Sequence, residues 1–135
     1  MELVFDYAES FVRDRTKLPQ GSLAKLAELL NRYGESLINR EEARALPVSP
    51  VEISDLPGGL ESSLYVLRVD EDFRLVFAAD EDPIFDGIII TLLRLVSHED
   101  LESALASLAQ SLYGGYGKHD RRGICERHVT DHAGI

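Results

Sequence analysis

The chain has 135 residues, 44% of them hydrophobic and 28% charged, a size and mix that suit one compact domain with material for a core. Fourteen Lys and Arg stand against 24 Asp and Glu, giving a formal net charge of −10. That balance argues against non-specific nucleic-acid binding by bulk electrostatics, does not forbid a local cationic pocket, and favours a basic protein partner or simple solubility. The single cysteine, Cys125, excludes an internal disulfide and fits a reducing compartment. The N-terminus, "MELVFDYAES", has no basic region and does not read as a signal peptide. The longest apolar stretch, near Ile88 to Leu93, is too short to span a bilayer. A cytoplasmic protein with no membrane association is expected.

"ELVFDYA" reads as a short first strand, and "AESFVRDRTKLP" as a brief helix anchored by Phe11 and Leu18 and ended by Pro19. Ser22 is the expected N-cap of a second helix, whose stripe is Leu23, Leu26, Ala27, Leu30, Tyr33 and Leu37. The two helices should form a hairpin. Ile38 to Ser63 carries Pro47, Pro50, Pro57 and Gly58-Gly59, so most of it should be irregular. "LYVLRV" and "FRLVFAA" are strands joined by the acidic turn Asp70, Glu71, Asp72. "DEDPIFDG" is a second turn, with Ile84 and Phe85 between charges as either a partner-binding tip or a fold-back onto the core. "IIITLLRLV" is a central apolar strand interrupted by Arg94. Ser97 should cap a last helix with the stripe Leu101, Ala104, Leu105, Leu108 and Leu112, stopped by Gly114 and Gly115.

Strands and helices are segregated, which predicts an α+β fold: an N-terminal strand, a helical hairpin, antiparallel strands and a C-terminal helix. Residues 1–113 form the expected domain, with 10 basic and 21 acidic side chains. Residues 114–135, with 4 and 3, read as a polar, flexible tail. The tail holds His119, Cys125, His128 and His132. On a helix, Cys125, His128 and His132 would share one side, and zinc accepts such ligands. The spacing lacks the paired-ligand knuckle of strong zinc motifs, so no metal and no other cofactor is expected.

"SFVRDRTKLP" before a leucine-striped helix, then "SDLPGG", "LYVLRVDEDFRLVF" and "IIITLLRLVSHEDL", resembles the RelE/ParE superfamily of bacterial toxin–antitoxin toxins over roughly Leu3 to Leu101. The resemblance implies an antiparallel sheet flanked by a helical hairpin, and an antitoxin whose chain wraps over the toxin. RelE-like members cut messenger RNA on the ribosome; ParE-like members inhibit DNA gyrase and cut nothing. It also implies phosphate-binding roles for Arg68 and Arg74, with Arg74 stabilising the reacting phosphate, and makes His98 the candidate general acid or base.

Metal-free RNA cleavage needs help in removing the 2′-hydroxyl proton, cations for the phosphorane, and a proton for the leaving oxygen. Arginine forks suit the second task and a histidine the others. Against this, Leu64 and Val66 stand where active relatives place lysines, Val96 replaces a basic residue, and the late tyrosine position falls at Glu102, with Tyr113 and Tyr116 farther on. The acidic turn would also weaken the hold of the arginines on phosphate. Two functions remain open: a ribosome-dependent mRNA endoribonuclease, or a non-enzymatic binder. The plain structural alternative is that Arg68 and Arg74 pair with Asp70, Asp72 or Glu102.

Overall fold

The computed structural model describes residues 2–39, 46–51, 63–112 and the backbone of 124–128. In chain order these form β1 (Glu2–Ala8), α1 (Glu9–Arg15), α2 (Gln20–Ile38), β2 (Val48–Pro50), β3 (Leu64–Arg68), β4 (Phe73–Asp82), β5 (Gly87–Ser97), a 3-10 turn (His98–Asp100), α3 (Leu101–Leu112) and β6 (Ile124–His128). The fold is α+β, and the expected order of elements holds. β2 and β6 are additions: β2 has only three residues, and β6 lies in the segment read as a tail. Because Cys125 and His128 sit on a strand, the helical spacing argument does not apply to them. His119, His132, Tyr113, Tyr116 and the "SDLPGG" stretch lie outside the described residues.

All six strands form one sheet in the order β2-β3-β4-β5-β1-β6. It is mixed rather than fully antiparallel: β1 runs parallel to β5, from Glu2 beside Gly87 to Tyr7 beside Leu92. The other pairs are antiparallel. Parallel pairing has a use here. It ends β1 half-way along β5, so α1 continues beside the rest of that strand.

One sheet face carries the main core. Leu3, Phe5 and Tyr7 of β1, Leu75 and Phe77 of β4, and Ile88, Ile90, Leu92 and Leu95 of β5 pack with Phe11 of α1 and Leu26, Leu29, Leu30 and Tyr33 of α2. Gly34 allows the close approach of α2 to β1, since a Cβ there would lie 2.6 Å from Leu3 Cδ2. Phe77 is fully buried, edge-on to Tyr33 at 5.3 Å and stacked on Tyr65 at 5.6 Å. Burial, with Tyr65 nearby, pushes the Tyr33 hydroxyl up to about 12. The opposite face has a smaller core of Ala8, Leu64, Ala78 and Leu93, packed against Leu108 of α3 and Val51.

Strict alternation along β5 would put Arg94 in phase with Ile88, Ile90 and Leu92, inside the main core. A bulge prevents this. Phe77 pairs with Leu92 and Val76 with Arg94, so Leu93 is an extra residue that shifts the phase. Leu95 enters the core in place of Arg94, which joins the other face.

Beyond Tyr7 the β1-side edge of β5 has no strand partner among the described residues, and α1 closes it with side chains. Ser10 Oγ–H donates to the Leu93 carbonyl at 2.6 Å. The buried Asp14 carboxylate accepts the Leu95 N–H at 2.9 Å and the Arg94 Nε–H at 2.7 Å. Both ladder groups are thereby satisfied without a strand.

Two expected caps are corrected. α2 begins at Gln20 with Pro19, not Ser22, at its N-cap. Proline pre-sets the backbone there, and the Pro19 carbonyl accepts the Ser22 and Leu23 N–H groups. α3 begins only after the 3-10 turn, and Ser97 Oγ–H donates to the Asp100 carboxylate at 3.1 Å rather than capping a backbone N–H.

Candidate functional site: arginines beside an acidic turn

The β3–β4 turn is built on Asp70. One carboxylate oxygen accepts the N–H groups of Asp72 and Phe73, each at 2.9 Å, which closes the turn locally. The other accepts the Ser22 hydroxyl at 2.8 Å, tying the turn to α2. Burial alone would raise the Asp70 carboxyl. The hydrogen bonds from Ser22, Phe73 and Asp72, with Lys25 nearby, outweigh that and lower it below its ordinary 3.8.

This sets the sign of a pH effect. A carboxylate lowered in the folded state contributes stability above its unfolded value and loses it as pH falls through the folded one. Asp70→Ala should cost about 1–3 kcal/mol at pH 7, because two turn N–H groups and a hydroxyl lose a charged acceptor. Urea midpoints taken from pH 7 to pH 2 should show the gap between wild type and variant narrowing only below about pH 3.8, the ordinary value.

Arg68 and Arg74 are cross-strand partners in the β3–β4 register, so both lie on one face, the face opposite the helical hairpin. Arg68 is exposed and Arg74 half-buried. Arg74 does not pair with the acidic side chains of the turn. Its Nη1 donates to the carbonyl oxygens of Asp70 at 2.6 Å, Phe73 at 3.0 Å and Glu71 at 3.3 Å. Like charges directly opposite on a sheet repel, and these carbonyls offset part of that repulsion. The remaining three N–H groups of the guanidinium, on Nε and Nη2, lie outside these contacts.

His98 reaches the same end of the sheet by register. Phe73 pairs with Ser97, and the next backbone N–H, that of His98, donates to the Asp72 carbonyl at 2.8 Å. Its ring is half exposed, with Nε2 4.0 Å from Glu99.

A groove of about 460 Å³ beside Arg68 is lined by Lys25, Leu29, Pro47, Val69, Asp70 and Glu71 as well, and neither Arg74 nor His98 lines it. Lys25, which the sequence reading did not single out, thus shares the groove with Arg68. Another, of about 640 Å³, runs between α1 and β5 past Arg13, Lys17 and Arg94, with Arg94 held by Asp14.

The expected departures have structural consequences. Leu64 is fully buried in the second core, so a lysine there would have to leave it. Val96 stands opposite Arg74 and is buried. Glu102 is exposed on α3. Among the described residues, no cluster of His, Cys, Asp and Glu could hold a metal ion, and no helix is long and apolar enough to cross a membrane.

No family model and no curated protein sequence matches the chain. Solved structures do. The fold is that of the RelE/ParE-like toxins: the YoeB/ParE toxin from Agrobacterium tumefaciens superposes with a TM-score of 0.50, at 13% identity, over 73% of this chain and 99% of its own. YafQ from E. coli strain BL21(DE3) aligns at 20% identity and TM-score 0.47, covering 72% of this chain and 94% of its own. The E. coli DinJ-YafQ toxin-antitoxin complex aligns at 15% identity and TM-score 0.49, covering 75% and 98%. At these identities the likeness is one of fold.

Proposed function

We propose that the chain is the toxin component of a type II toxin–antitoxin pair, neutralised by a protein antitoxin, and that its target is messenger RNA on the ribosome. The observation that carries the chemistry is the register: Arg68 and Arg74 sit opposite each other on the sheet face away from the hairpin, at the end that His98 also reaches. An anion between the two guanidinium groups removes their mutual repulsion, and a phosphate fits their planar forks. The reaction is a metal-independent transesterification. The ribose 2′-oxygen attacks the adjacent phosphorus, its proton passes to a base, the bond to the 5′-oxygen breaks, and that oxygen takes a proton. His98 carries the proton in this reading, and Arg68 with the outer edge of Arg74 neutralises the phosphorane.

A second reading has its own support. Arg74 Nη1 is already committed to three turn carbonyls, and a core leucine fills one lysine position. Both favour a non-enzymatic relative: a ParE-like inhibitor of DNA gyrase, or a chain that keeps only its antitoxin-binding surface.

Induced expression with mapping of RNA ends on ribosomes separates the two. Cleavage should appear with the wild type and fall about 100- to 1000-fold with Arg74→Ala, the usual loss of one stabilising donor at a charged transition state. Growth arrest by both forms without new RNA ends would discard the nuclease and leave the binder.

A further inference from the structure

At the other end of the sheet, the β4–β5 turn exposes the two large apolar side chains Ile84 and Phe85, at 83% and 74%. They do not fold back onto the core. The turn holding them is stiff. Asp82 Oδ1 accepts the N–H groups of Ile84 at 3.1 Å and Phe85 at 3.3 Å, and the Glu2 N–H donates to the Asp86 carbonyl at 3.1 Å. Asp86 takes a left-handed φ of 50°, and Gly87 allows the β1 backbone to approach, since a Cβ there would lie 2.9 Å from the Glu2 carbonyl oxygen. Beside Phe85 a shallow groove of about 160 Å³ is floored by Val4, Ile88 and Ile89 and rimmed by Glu2 and Asp82.

Among the described residues, the segments that build this tip carry charge of one sign. Glu2, Glu81, Asp82 and Asp86 lie on or next to it, and no Lys, Arg or His occurs from residue 75 to 93 or from 2 to 8. We propose that the Ile84–Phe85 tip and its groove form a docking surface for a polypeptide segment that alternates apolar and basic side chains. The apolar residues cover Ile84 and Phe85 and enter the groove, and the basic ones meet the carboxylate rim. A preformed aromatic anchor limits the ordering cost of binding. The other occupants fit worse. A nucleic acid or an anionic lipid surface is repelled by the rim, and a second copy of the chain brings another −10. The proposal stands apart from the arginine site: Arg74 and Asp82 are eight residues apart on β4, about 26 Å along a strand.

The test is fluorescence anisotropy on the full chain, using a labelled peptide of alternating lysine and leucine. Matched lysine–serine and glutamate–leucine peptides are the controls. The double variant Ile84→Ser/Phe85→Ser alters only exposed side chains, and an unchanged thermal melt will show that it folds. It should bind the lysine–leucine peptide at least tenfold more weakly, and Glu2→Lys, at the groove rim, should separately weaken binding of the same peptide. The lysine–serine peptide should bind weakly and alike to wild type and double variant, and the glutamate–leucine peptide should not bind. Equal affinity of wild type and double variant for the lysine–leucine peptide would overturn the proposal. So would self-association in sedimentation, or adsorption to anionic vesicles, that the double variant abolishes.

Discussion

Asp14→Ala should be among the most damaging single substitutions in the protein, costing about 4 kcal/mol. The carboxylate serves two buried or half-buried donors at once, the Leu95 N–H and the Arg94 guanidinium. Removing it strands a ladder N–H and leaves a half-buried cation, whose side chain is only 31% exposed, without its counter-ion. Breaking a buried pair from one side typically costs about 3–5 kcal/mol, and a stranded backbone donor about 1–3. The pair is not fully buried, which keeps the sum toward the lower end. Arg94→Ala should cost less, because Asp14 retains the Leu95 N–H, and Asp14→Asn should fall between. Urea unfolding of the three variants checks that ranking. If Arg94→Ala proved as costly as Asp14→Ala, the edge-closing role of the carboxylate would be the part to abandon.

Phe77→Ala should cost about 4 kcal/mol, the usual range for emptying an aromatic site in a core being about 3–5. Phe77 is fully buried, and its ring is the shared contact between Tyr33 from α2 and Tyr65 from β3. Its loss therefore loosens the helix from the sheet as well as leaving a cavity. Phe77→Leu should cost roughly half as much, since leucine refills part of the volume. The variant also has a spectroscopic signature. Tyr33 owes its raised value first to burial, so the hole should bring it back toward 10. In the wild type Tyr33 should ionise near pH 12 by ultraviolet absorbance, and in Phe77→Ala that late step should move down. An unmoved late step would mean that water does not reach the ring.

The elements with a strong period were legible in the sequence. The α2 stripe, the β3–β4 hairpin and the apolar β5 follow directly from spacing, and with them the α+β class. The placement of the two arginines was legible too, in retrospect: Arg68 stands two residues before Asp70 and Arg74 two after Asp72, and symmetric flanks of a tight turn become cross-strand partners. The commitment of Arg74 Nη1 to backbone carbonyls was not, because it depends on how the turn peptides point.

Asp14 looked like one more charge among Arg13 and Arg15. Its signal was present but faint: it sits three residues after Phe11, on the buried side of α1. The bulge at Leu93 was hidden because "TLLRLV" contains two adjacent leucines, and no rule of alternation says which of them is the surplus residue. β2 and β6 left no readable trace, since three residues ending in a proline and a short strand among polar residues both fall below what periodicity can detect.

The plug formed by α1 has a consequence for how the protein fails with age. Should that short helix detach while the rest stays folded, residues 93–97 of β5 would present a bare row of amide donors and acceptors beside strongly apolar neighbours. Such a ridge is a template for pairing between molecules, and partial opening needs far less energy than complete unfolding. Loss of material on storage would then proceed by fibre growth seeded from a nearly native species. Seven residues of helix, and one aspartate in particular, would set the shelf life of the whole molecule.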